Sequence, residues 1–318
     1  MPIAIITGVT GQDGLYLSEL LLDNRYKVVG IVRDVQMAEK SLPINLRKSI
    51  ELVEWDMFDV PQLIDIIRHY APKEFYNFAA YSSGAGMFDE ATSIGEINGL
   101  AVTRILEAIR TVDSNIRFCQ ASSSEIFGES IESPQSETTP FHPRSPYGAA
   151  KLYAHNMIHI YRQRYGLFAC SAILYNHESP RRGLDFVTRK ISHQVAKIKL
   201  GLATELSLGN LEARRDWGFA GDYVYAMWQM LQMPEAEDYV ISSDKTHSVR
   251  ELCECAFSHV GLDYKDYVRD DVNAYRPIEE FQLVGDSQKA RNKLGWTPKV
   301  GFHDLVGAMV DADLKLLA

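Results

Sequence analysis

The sequence has little of what marks secreted, metal-binding or membrane proteins. Its four cysteines, Cys119, Cys170, Cys253 and Cys255, include one close pair, and no histidine pair lies near that pair to complete a zinc site. The longest uncharged run, residues 75–88, covers about 14 residues, which is fewer than a bilayer-spanning helix requires. We therefore expect inert thiols in a reducing cytoplasm, no metal site and no membrane span.

Basic residues are in deficit. The chain has 33 lysines and arginines against 42 aspartates and glutamates, a formal net charge of −9. This balance argues against nucleic acid or an anionic membrane as the main partner, because both require a positively charged face. Residues 1–6 lead directly into a strand-like segment without a basic region or a cleavage site, so we expect no signal peptide. A phosphorylated ligand would need a local basic cluster.

What the sequence does have is an alternation of two hydrophobic periods. Short apolar runs predict strands, and apolar residues three and four apart predict helices between them. The predicted strands are 3–7, 27–32, 50–53, 74–78, 116–120 and 168–174. The predicted helices are 15–22, 60–70, 102–112 and 147–165. This order implies right-handed crossovers and an α/β fold, a Rossmann-type, doubly wound, mainly parallel sheet.

The second half of the chain has a looser pattern. Its predicted helices are 187–200, 223–231, 248–260 and two short ones within 287–318. We predict a dinucleotide-binding Rossmann domain over residues 1–174, joined by part of 211–240. Residues 175–318 are predicted to form a smaller, mostly helical substrate domain.

A glycine-rich loop joins the first predicted strand to the first predicted helix. Gly8 permits the tight turn, Gly11 lets the backbone approach a pyrophosphate, and Gly14 lets helix and strand pack closely. The amide groups at the helix N-terminus, around Gln12 and Asp13, then face the negative charge. An ordinary turn can also contain three glycines, but the position between strand and helix favours a dinucleotide site. The G-x-x-G-x-x-G spacing is typical of the extended short-chain dehydrogenase/reductase superfamily.

The end of the second predicted strand bears on cofactor choice. An acidic residue there binds a ribose 2′-hydroxyl, as in NAD, whereas an arginine accommodates the 2′-phosphate of NADP. Arg33 and Asp34 are adjacent here, and Arg33 comes first beyond the strand. We therefore favour NADP, while NAD and a solvent-facing pair stay open as alternatives.

The clearest catalytic signal is a tyrosine and a lysine, Tyr147 and Lys151, which stand four residues apart and so share one face of a helix. A nearby ammonium favours the tyrosinate and moves the phenol towards a usable general base near neutral pH. Ser123 and Glu125 follow a buried strand, at the carboxyl end where such sheets place their sites. A Y-x-x-x-K spacing alone is common on helices, but together with the glycine loop and these two residues it indicates a catalytic site.

Longer motifs resemble those of the GDP-mannose 4,6-dehydratase family, a branch of the extended short-chain dehydrogenases/reductases. The tyrosine–lysine and glycine motifs indicate only the superfamily, whereas Asn-His-Glu-Ser-Pro-Arg-Arg-Gly and Arg-Asp-Trp-Gly are far more particular. The matching segments are 6–14, 120–125, 143–153, 176–183, 186–190, 208–218 and 275–277. They extend along nearly the whole chain.

The resemblance implies a GDP-mannose 4,6-dehydratase reaction, an internal redox cycle that consumes no cofactor. Tyr147 would remove the proton of the C4 hydroxyl while hydride leaves C4 for the nicotinamide. The resulting ketone acidifies C5–H, which Glu125 would abstract, and water departs from C6 with the help of Ser123 and Glu125. The stored hydride then returns to C6, which gives a GDP-linked 4-keto-6-deoxy sugar. A structural cap is the alternative role for Glu125, yet a simple reductase needs no second base.

The resemblance also implies which residues contact the two ligands. For the cofactor they are Gly8, Gly11, Gln12, Asp13, Gly14, Arg33, Asp56, Met57, Ala79, Ser82, Tyr147, Lys151, His177 and Arg182. For the GDP-sugar they are Ser123, Asn176, Val187, Lys190, Arg215 and Arg276. Guanidinium groups suit phosphate because they pair with two of its oxygens at once. Surface salt bridging stays open for Arg181 and Arg214, and a plain turn role for Asp56.

Two loops depart from the family pattern. Tyr81 replaces a glutamine, and Met87 stands where the family has a sugar-facing serine, so a different sugar could be accepted. Residues 33–36 replace an arginine pair followed by serines, in the segment that reaches a neighbouring subunit in the family. We expect a homodimer or a homotetramer, without a choice between them. Ser123 replaces the commoner threonine and keeps the hydroxyl.

Three functions remain open at this point. The first is the GDP-mannose 4,6-dehydratase; the second is a related GDP-sugar enzyme, either a 4-keto reductase or a dehydratase of another sugar such as a heptose. The third is a catalytically silent nucleotide-sensing subunit, which predicts a broken catalytic set, whereas Ser123, Tyr147 and Lys151 are all present. The reductase would consume external NADPH and would tolerate the loss of Glu125. The dehydratase is therefore the leading hypothesis.

Overall fold

The computed structural model describes residues 1–81, 88, 90–271 and 282–318. Within them, strands and helices alternate as predicted for a Rossmann-type α/β fold, and that prediction is confirmed. The strands are β1 (Ile3–Thr7), β2 (Lys27–Val32), β3 (Ile50–Glu54), β4 (Glu74–Asn77), β5 (Arg117–Ala121), β6 (Ala169–Leu174), β7 (Asn176–Glu178), β8 (Leu206–Leu208), β9 (Arg214–Phe219), β10 (Tyr239–Ile241), β11 (Thr246–Ser248) and β12 (Val268–Asp270).

The helices have the following bounds. They are α1 (Gln12–Asp23), α2 (Val35–Ser41), α3 (Ile44–Arg47), α4 (Val60–Tyr70), α5 (Ala91–Gly95), α6 (Ala101–Val112), α7 (Pro146–Tyr165), α8 (Val187–Lys199), α9 (Ala220–Gln232), α10 (Val249–His259), α11 (Tyr264–Tyr267), α12 (Gln288–Leu294) and α13 (Phe302–Leu317). A π-helical turn (Glu96–Leu100) joins α5 to α6, and a 3₁₀ turn (Ser124–Ile126) follows β5.

The large sheet sets the position of the candidate site. In the described part of the chain it has seven strands in the order β10-β6-β5-β4-β1-β2-β3, and each neighbouring pair is parallel. The chain runs outward from β1 to β3 and then crosses back to β4 on the other side of β1. The strand order therefore reverses beside β1, and sheets of this kind bind ligands at the carboxyl ends of the strands at such a point.

Two hydrophobic cores cover the two faces of this sheet. On one face Leu17 of α1 and Met227 of α9 lie in the same buried cluster as Ile6 of β1. On the other face Leu63 of α4 lies in the same cluster as Ile5. Consecutive strand residues point to opposite faces, so a strand that is covered on both sides is apolar throughout.

Helix α7 carries two of the candidate catalytic residues and has clear end signals. The Ser145 hydroxyl accepts a hydrogen bond from the Gly148 amide at 3.0 Å, and Pro146 occupies the first turn, where a missing amide hydrogen costs little. Gly166 ends the helix in the left-handed conformation, with φ at 69°. The sequence thus starts the helix one residue before Tyr147.

The second half of the chain builds a smaller unit that begins at the carboxyl edge of the large sheet. Only Tyr175 separates β6 from β7. Strand β7 pairs parallel to β9, β9 pairs antiparallel to β11, and β12 pairs parallel to β8. A third core fills this unit, with Ile191 of α8, Leu252 of α10 and Val310 of α13 among its members.

The chain returns to the large sheet after leaving it. Helix α9 packs against α1, and β10 adds an edge strand next to β6. Helix α12 then packs against α9 and β10. The elements that pack on the large sheet therefore extend beyond residues 1–174 and 211–240.

Other properties concern the described residues as a whole. No helix among them combines the length and the apolar character that crossing a membrane requires. They hold no group of three or more histidine, cysteine, aspartate or glutamate side chains placed to bind a metal ion. The four cysteine thiols are free, and those of Cys119, Cys170 and Cys253 are buried.

A buried ion pair ties the last helix, α13, to α8. The Arg189 Nε donates to both oxygens of the Asp313 carboxylate, at 3.0 and 3.1 Å, and Ser192 Oγ donates to it at 2.7 Å. Burial raises the pKa of Asp313, but the hydrogen bonds of Arg189 and Ser192 outweigh that effect and hold it below its usual value. Arg189 also donates through Nη1 to the Arg182 carbonyl at 2.9 Å. The ion pair is thereby linked to the loop that contains Arg182, a candidate cofactor contact.

We predict that Asp313→Ala lowers the free energy of unfolding by about 3–5 kcal/mol, because it leaves the Arg189 guanidinium buried without its counterion. The matched control is Asp311→Ala on the same helix, which removes an exposed carboxylate 2.8 Å from His259. Exposed pairs of this kind contribute less than about 1 kcal/mol. Urea denaturation followed by circular dichroism measures both variants, and equal losses in the two would contradict the account.

Candidate active site

The glycine loop is shaped by close backbone contacts. Gly8 has a positive φ of 68°, and a Cβ there would lie 2.9 Å from the Ala79 amide nitrogen after β4. A Cβ on Gly14 would lie 2.4 Å from the Gly8 carbonyl oxygen, which no backbone tolerates. These two glycines hold the turn, the helix and the neighbouring strand end together, as the sequence predicts.

Gly11 has a different role from the other two glycines. A Cβ on it would meet only the Gly8 carbonyl oxygen, at 3.3 Å, so its remaining surroundings are open. It is also the N-cap of α1, and no side chain among the described residues caps the amides of that helix end. Uncapped amides at a helix N-terminus bind anions well. The loop therefore fits the pyrophosphate of a dinucleotide.

The first residues of α1 are tied to β7 and the loop after it. Gln12 Nε2 donates to the His177 carbonyl at 3.1 Å, and Ser179 Oγ donates to Gln12 Oε1 at 2.7 Å. The Asp13 carboxylate lies 2.9 Å from His177 Nε2. The structure thus brings together three residues that the sequence places among the cofactor contacts, although two of them lie about 165 residues from the third.

The four candidate catalytic residues meet at the carboxyl end of β5. The Ser123 side chain hydrogen-bonds the Tyr147 side chain, and its Oγ also accepts from the Glu125 amide at 3.2 Å. The Glu125 carboxylate lies close enough for its charge to act on the Tyr147 phenol. Lys151 Nζ donates to the Ala121 carbonyl at 2.8 Å and lies 5.7 Å from the centre of the Tyr147 ring.

The protonation of this group differs from the sequence expectation. Burial, together with the charge of Glu125, raises the pKa of Tyr147 to about 12, and the hydrogen bond from Ser123 only partly opposes this rise. Burial also lowers the pKa of Lys151 to about 8. From the sequence we expect Lys151 to lower the pKa of Tyr147, but in the protein chain alone that pKa is raised. The reason is that burial disfavours the charged form of both side chains.

Arg33 and Asp34, the two residues at the end of β2 that bear on cofactor choice, have different environments. Arg33 is exposed. Asp34 is the N-cap of α2, and its Oδ1 accepts a hydrogen bond from the Met37 amide at 2.9 Å. Its carboxylate is therefore engaged in capping a helix.

Asp56 shows the turn geometry that the sequence left open. Its Oδ1 accepts from the Phe58 amide at 3.0 Å, in the loop between β3 and α4. Met57 packs at the edge of the buried cluster under α4. Ala79, after β4, donates its amide hydrogen to the Thr7 hydroxyl at 3.1 Å and lies against Gly8.

Four of the candidate substrate contacts, Asn176, Val187, Lys190 and Arg215, lie in the smaller unit. Asn176 of β7 pairs in register with Trp217 of β9, so it lies beside the strand that carries Arg215. Val187 and Lys190 are three residues apart at the start of α8 and so share a face. Lys190 Nζ donates to the Ser207 carbonyl at 2.8 Å.

Not every basic residue of the motifs is available for phosphate. Arg181 donates to both oxygens of Glu19, at 2.9 and 2.7 Å, and Arg214 pairs with Glu251 at 2.9 Å. Both therefore take the salt-bridge role that the sequence left open. Arg182 also has an acidic partner, Glu178, at 3.1 Å. Its guanidinium lies 3.5 Å from the centre of the Phe186 ring, and its charge acts on Asp13 and Tyr147. The predictions for Ser82, Met87 and Arg276 fall outside the described residues.

Two residues near the site were not found from the sequence. Asn98, within the π-helical turn, accepts from the Tyr81 amide at 2.8 Å and donates to its carbonyl at 3.0 Å, which fixes the loop after β4. Tyr223 of α9 stacks on the His177 ring, with centroids 5.0 Å apart. An asparagine or a tyrosine inside a helical pattern gives no signal of such a contact, whereas π-turns do recur at functional sites.

Solved structures with similar folds include two with a bound nicotinamide dinucleotide. The dTDP-glucose 4,6-dehydratase of Bacillus anthracis, in complex with NAD, matches with a TM-score of 0.85 and 20% identity over 99% of this chain and 97% of its own. RMD from Pseudomonas aeruginosa, complexed with NADPH, matches with a TM-score of 0.85 and 22% identity over 99% of this chain and 100% of its own. These likenesses confirm the fold.

Comparison of sequences identifies the family. The family profile described as GDP-mannose 4,6 dehydratase matches residues 5–309. GDP-mannose 4,6 dehydratase 2 of Arabidopsis thaliana is 49% identical over 329 residues, which cover 99% of this chain and 87% of the relative. The resemblance inferred from the motifs is confirmed: the chain belongs to the GDP-mannose 4,6-dehydratase family.

Proposed function

We propose that this chain converts GDP-mannose to GDP-4-keto-6-deoxymannose and water, with a tightly held nicotinamide dinucleotide as internal hydride carrier. Its family makes it a nucleotide-sugar 4,6-dehydratase. The observation that carries the proposal is the meeting of Ser123, Glu125 and Tyr147 at the end of β5, beside the glycine loop. A reductase would need only the hydroxyl groups, whereas a carboxylate next to the phenol provides the second base that elimination requires.

The first step is removal of a proton from the C4 hydroxyl by Tyr147. When bound, the dinucleotide accepts hydride from C4 and later returns it to C6. Ser123 orients the phenol through their hydrogen bond, which also lowers the pKa of Tyr147 against the effect of burial. Lys151, held by the Ala121 carbonyl, is placed to keep a positive charge near the ring.

Elimination is assigned to Glu125. The 4-ketone acidifies the proton on C5, and Glu125 removes it and passes it to the C6 hydroxyl group. The C6–oxygen bond breaks, water leaves, and a C5–C6 double bond forms. Ser123 steadies that oxygen with its hydroxyl. Return of a proton to C5 and of hydride to C6 then completes the product, so that one water is lost and no net oxidation or reduction remains.

The GDP moiety is assigned to the smaller unit. Asn176 and Arg215 lie on paired strands, and Lys190 lies on the first turns of α8 with Val187 on the same face. Cationic side chains there would neutralise the diphosphate, which the acidic chain as a whole would repel. Arg276 is proposed as a further contact on the basis of its sequence motif.

NADP is the proposed cofactor. Both NAD and NADPH are bound by proteins of this fold. In this chain the Asp34 carboxylate caps α2 and is engaged by the Met37 amide, so it is poorly placed to select the 2′-hydroxyl of NAD. Arg33 is exposed beside it and can reach a 2′-phosphate.

We further propose that the enzyme acts in the cytoplasm as a homodimer or homotetramer. Four free thiols suit a reducing compartment. Helix α7 exposes two large side chains, Tyr153 and Ile160, that stand seven residues apart on one face, and this face supports contact between copies of the chain.

We predict that Arg33→Ala weakens NADP binding about tenfold or more, because a charged hydrogen bond to the 2′-phosphate is lost. NAD has no group at that position, so its affinity serves as the internal control and is expected to stay unchanged. Titration calorimetry with NADP and with NAD measures both affinities in the variant and in the unaltered chain. A parallel loss for both would assign Arg33 to the fold of the loop and remove it from cofactor selection.

We predict that Glu125→Gln lowers turnover of GDP-mannose at least about 100-fold while NADP still binds, because the base for C5 is lost. Mass spectrometry of the nucleotide sugar, with catalytic NADP⁺, follows the loss of one water. Glu129→Gln is the matched control, since Glu129 is exposed and four residues away. Normal turnover in Glu125→Gln would remove this carboxylate from the mechanism.

A further inference from the structure

The two ring nitrogens of His177 both face hydrogen-bond acceptors. Nδ1 lies 2.8 Å from the Tyr175 carbonyl oxygen, and Nε2 lies 2.9 Å from Oδ2 of Asp13. A carbonyl oxygen can only accept, so Nδ1 must donate to it. An ionised carboxylate can also only accept, so Nε2 must donate as well. A histidine that donates from both nitrogens is an imidazolium cation.

The surroundings of His177 agree with this charge. The neighbouring charged groups are Asp13 on α1 and Arg182 in the loop after β7, and the ring stacks on Tyr223 of α9. Burial and Arg182 lower the pKa of His177, but the charge and hydrogen bond of Asp13 outweigh them and raise it above its usual value. In the same way, burial raises the pKa of Asp13, and His177 more than reverses that effect. Arg182 has its own counterion in Glu178, at 3.1 Å.

Asp13 occupies a position where an unpaired negative charge would work against cofactor binding. It lies in the first turn of α1, next to Gly14, at the helix end whose amides are open to an anion. A carboxylate is favourable there for the helix alone, because it faces the positive end of the helix dipole. A pyrophosphate at the same place would be repelled by it, since like charges within a few ångströms in a partly buried site interact strongly.

We propose that His177 is a positioning residue, held as an imidazolium, whose charge cancels that of Asp13 and so lets the glycine loop accept the pyrophosphate of the dinucleotide. This inference rests on the dinucleotide site of the proposed function. It assigns His177 an effect that acts through Asp13, in addition to any contact with the cofactor.

The same contacts fix the geometry of the pair. Gln12 Nε2 donates to the His177 carbonyl and also lies 3.2 Å from Oδ1 of Asp13, while Ser179 holds the other end of the Gln12 amide. One oxygen of the Asp13 carboxylate therefore hydrogen-bonds His177, and the other hydrogen-bonds Gln12. The carboxylate therefore faces β7, which carries His177.

The charge state can be measured directly in the protein without cofactor. In chain labelled with ¹⁵N-histidine, we expect both ring nitrogens of His177 to show imidazolium shifts at pH 7.5. The exposed His69 and His303 give reference signals in the same spectrum. Asp13→Asn should return His177 to a neutral ring at this pH. A neutral His177 ring in the unaltered chain would overturn the proposal.

The consequence for binding is tested with NADP and calorimetry. We expect His177→Gln to weaken NADP binding about tenfold or more at pH 7.5, since the imidazolium then no longer offsets the Asp13 charge. The double variant Asp13→Asn/His177→Gln should regain most of that loss, because neither charge is left. If the double variant binds as weakly as the single one, His177 acts by contact or fold and the proposal fails.

The pH dependence has a definite sign. His177 is charged at low pH and loses its proton as pH rises through its raised pKa, so NADP affinity should fall on the alkaline side in the unaltered chain. Asp13→Asn should lose this His177-dependent fall and keep only the fall that follows deprotonation of Lys151, whose pKa burial lowers to about 8. Asp311→Asn, in the exposed pair with His259, is the matched control and should leave the pH profile unchanged. These readouts use no sugar turnover, so a chain that binds NADP as described but dehydrates no GDP-mannose would refute the proposed function alone.

Discussion

The site depends on one backbone contact, the packing of the start of α1 against the turn that follows β1. Gly8 and Gly14 allow the two segments to approach to a distance that no side chain would permit, and Gly8 also lies against the strand end at Ala79. This contact places the amino end of α1 at the carboxyl edge of the sheet, beside β1 and β4. The catalytic group at the end of β5 then lies along the same edge of the sheet, because parallel strands end together.

The charged side chains of the site are stabilised by specific hydrogen-bond and ion-pair partners, since burial alone would favour their neutral forms. Lys151 is almost fully buried, and its ammonium is held by the Ala121 carbonyl. Asp13 and His177 pair across the boundary between the two halves of the chain. The Ser123 hydrogen bond and the charge of Arg182 favour the charged form of Tyr147, but burial outweighs both, and its pKa stays high in the chain alone. The proton movements of the reaction therefore draw on groups whose charge the fold controls.

Much of this architecture is readable in the sequence because it rests on strong local patterns. The strand at Ile3–Thr7 and the helix at Val60–Tyr70 have the predicted bounds, since a buried parallel strand and an amphipathic helix each leave a clear period. Helices α2 and α3 were missed because they are short and mostly exposed. The role of Asn98 in the π-turn was also missed, because its side chain hydrogen-bonds Tyr81, 17 residues earlier in the chain.

The catalytic residues also combine features that the sequence predicts with features that it does not. Tyr147 and Lys151 could be predicted to share a helical face, and Ser123 to follow a buried strand, from spacing alone. The pKa values of these groups could not be predicted from spacing, because each pKa depends on burial and on neighbours from distant parts of the sequence.

The central claim, that one pocket removes a hydride from C4 and returns it to C6 of the same sugar, is tested most directly with GDP-mannose that carries deuterium at C4. The account predicts a product that has lost one water and carries the deuterium at C6, with no net change in NADPH. Deuterium that appears in free NADPH, or a product whose C6 carries only hydrogen from the medium, would contradict it.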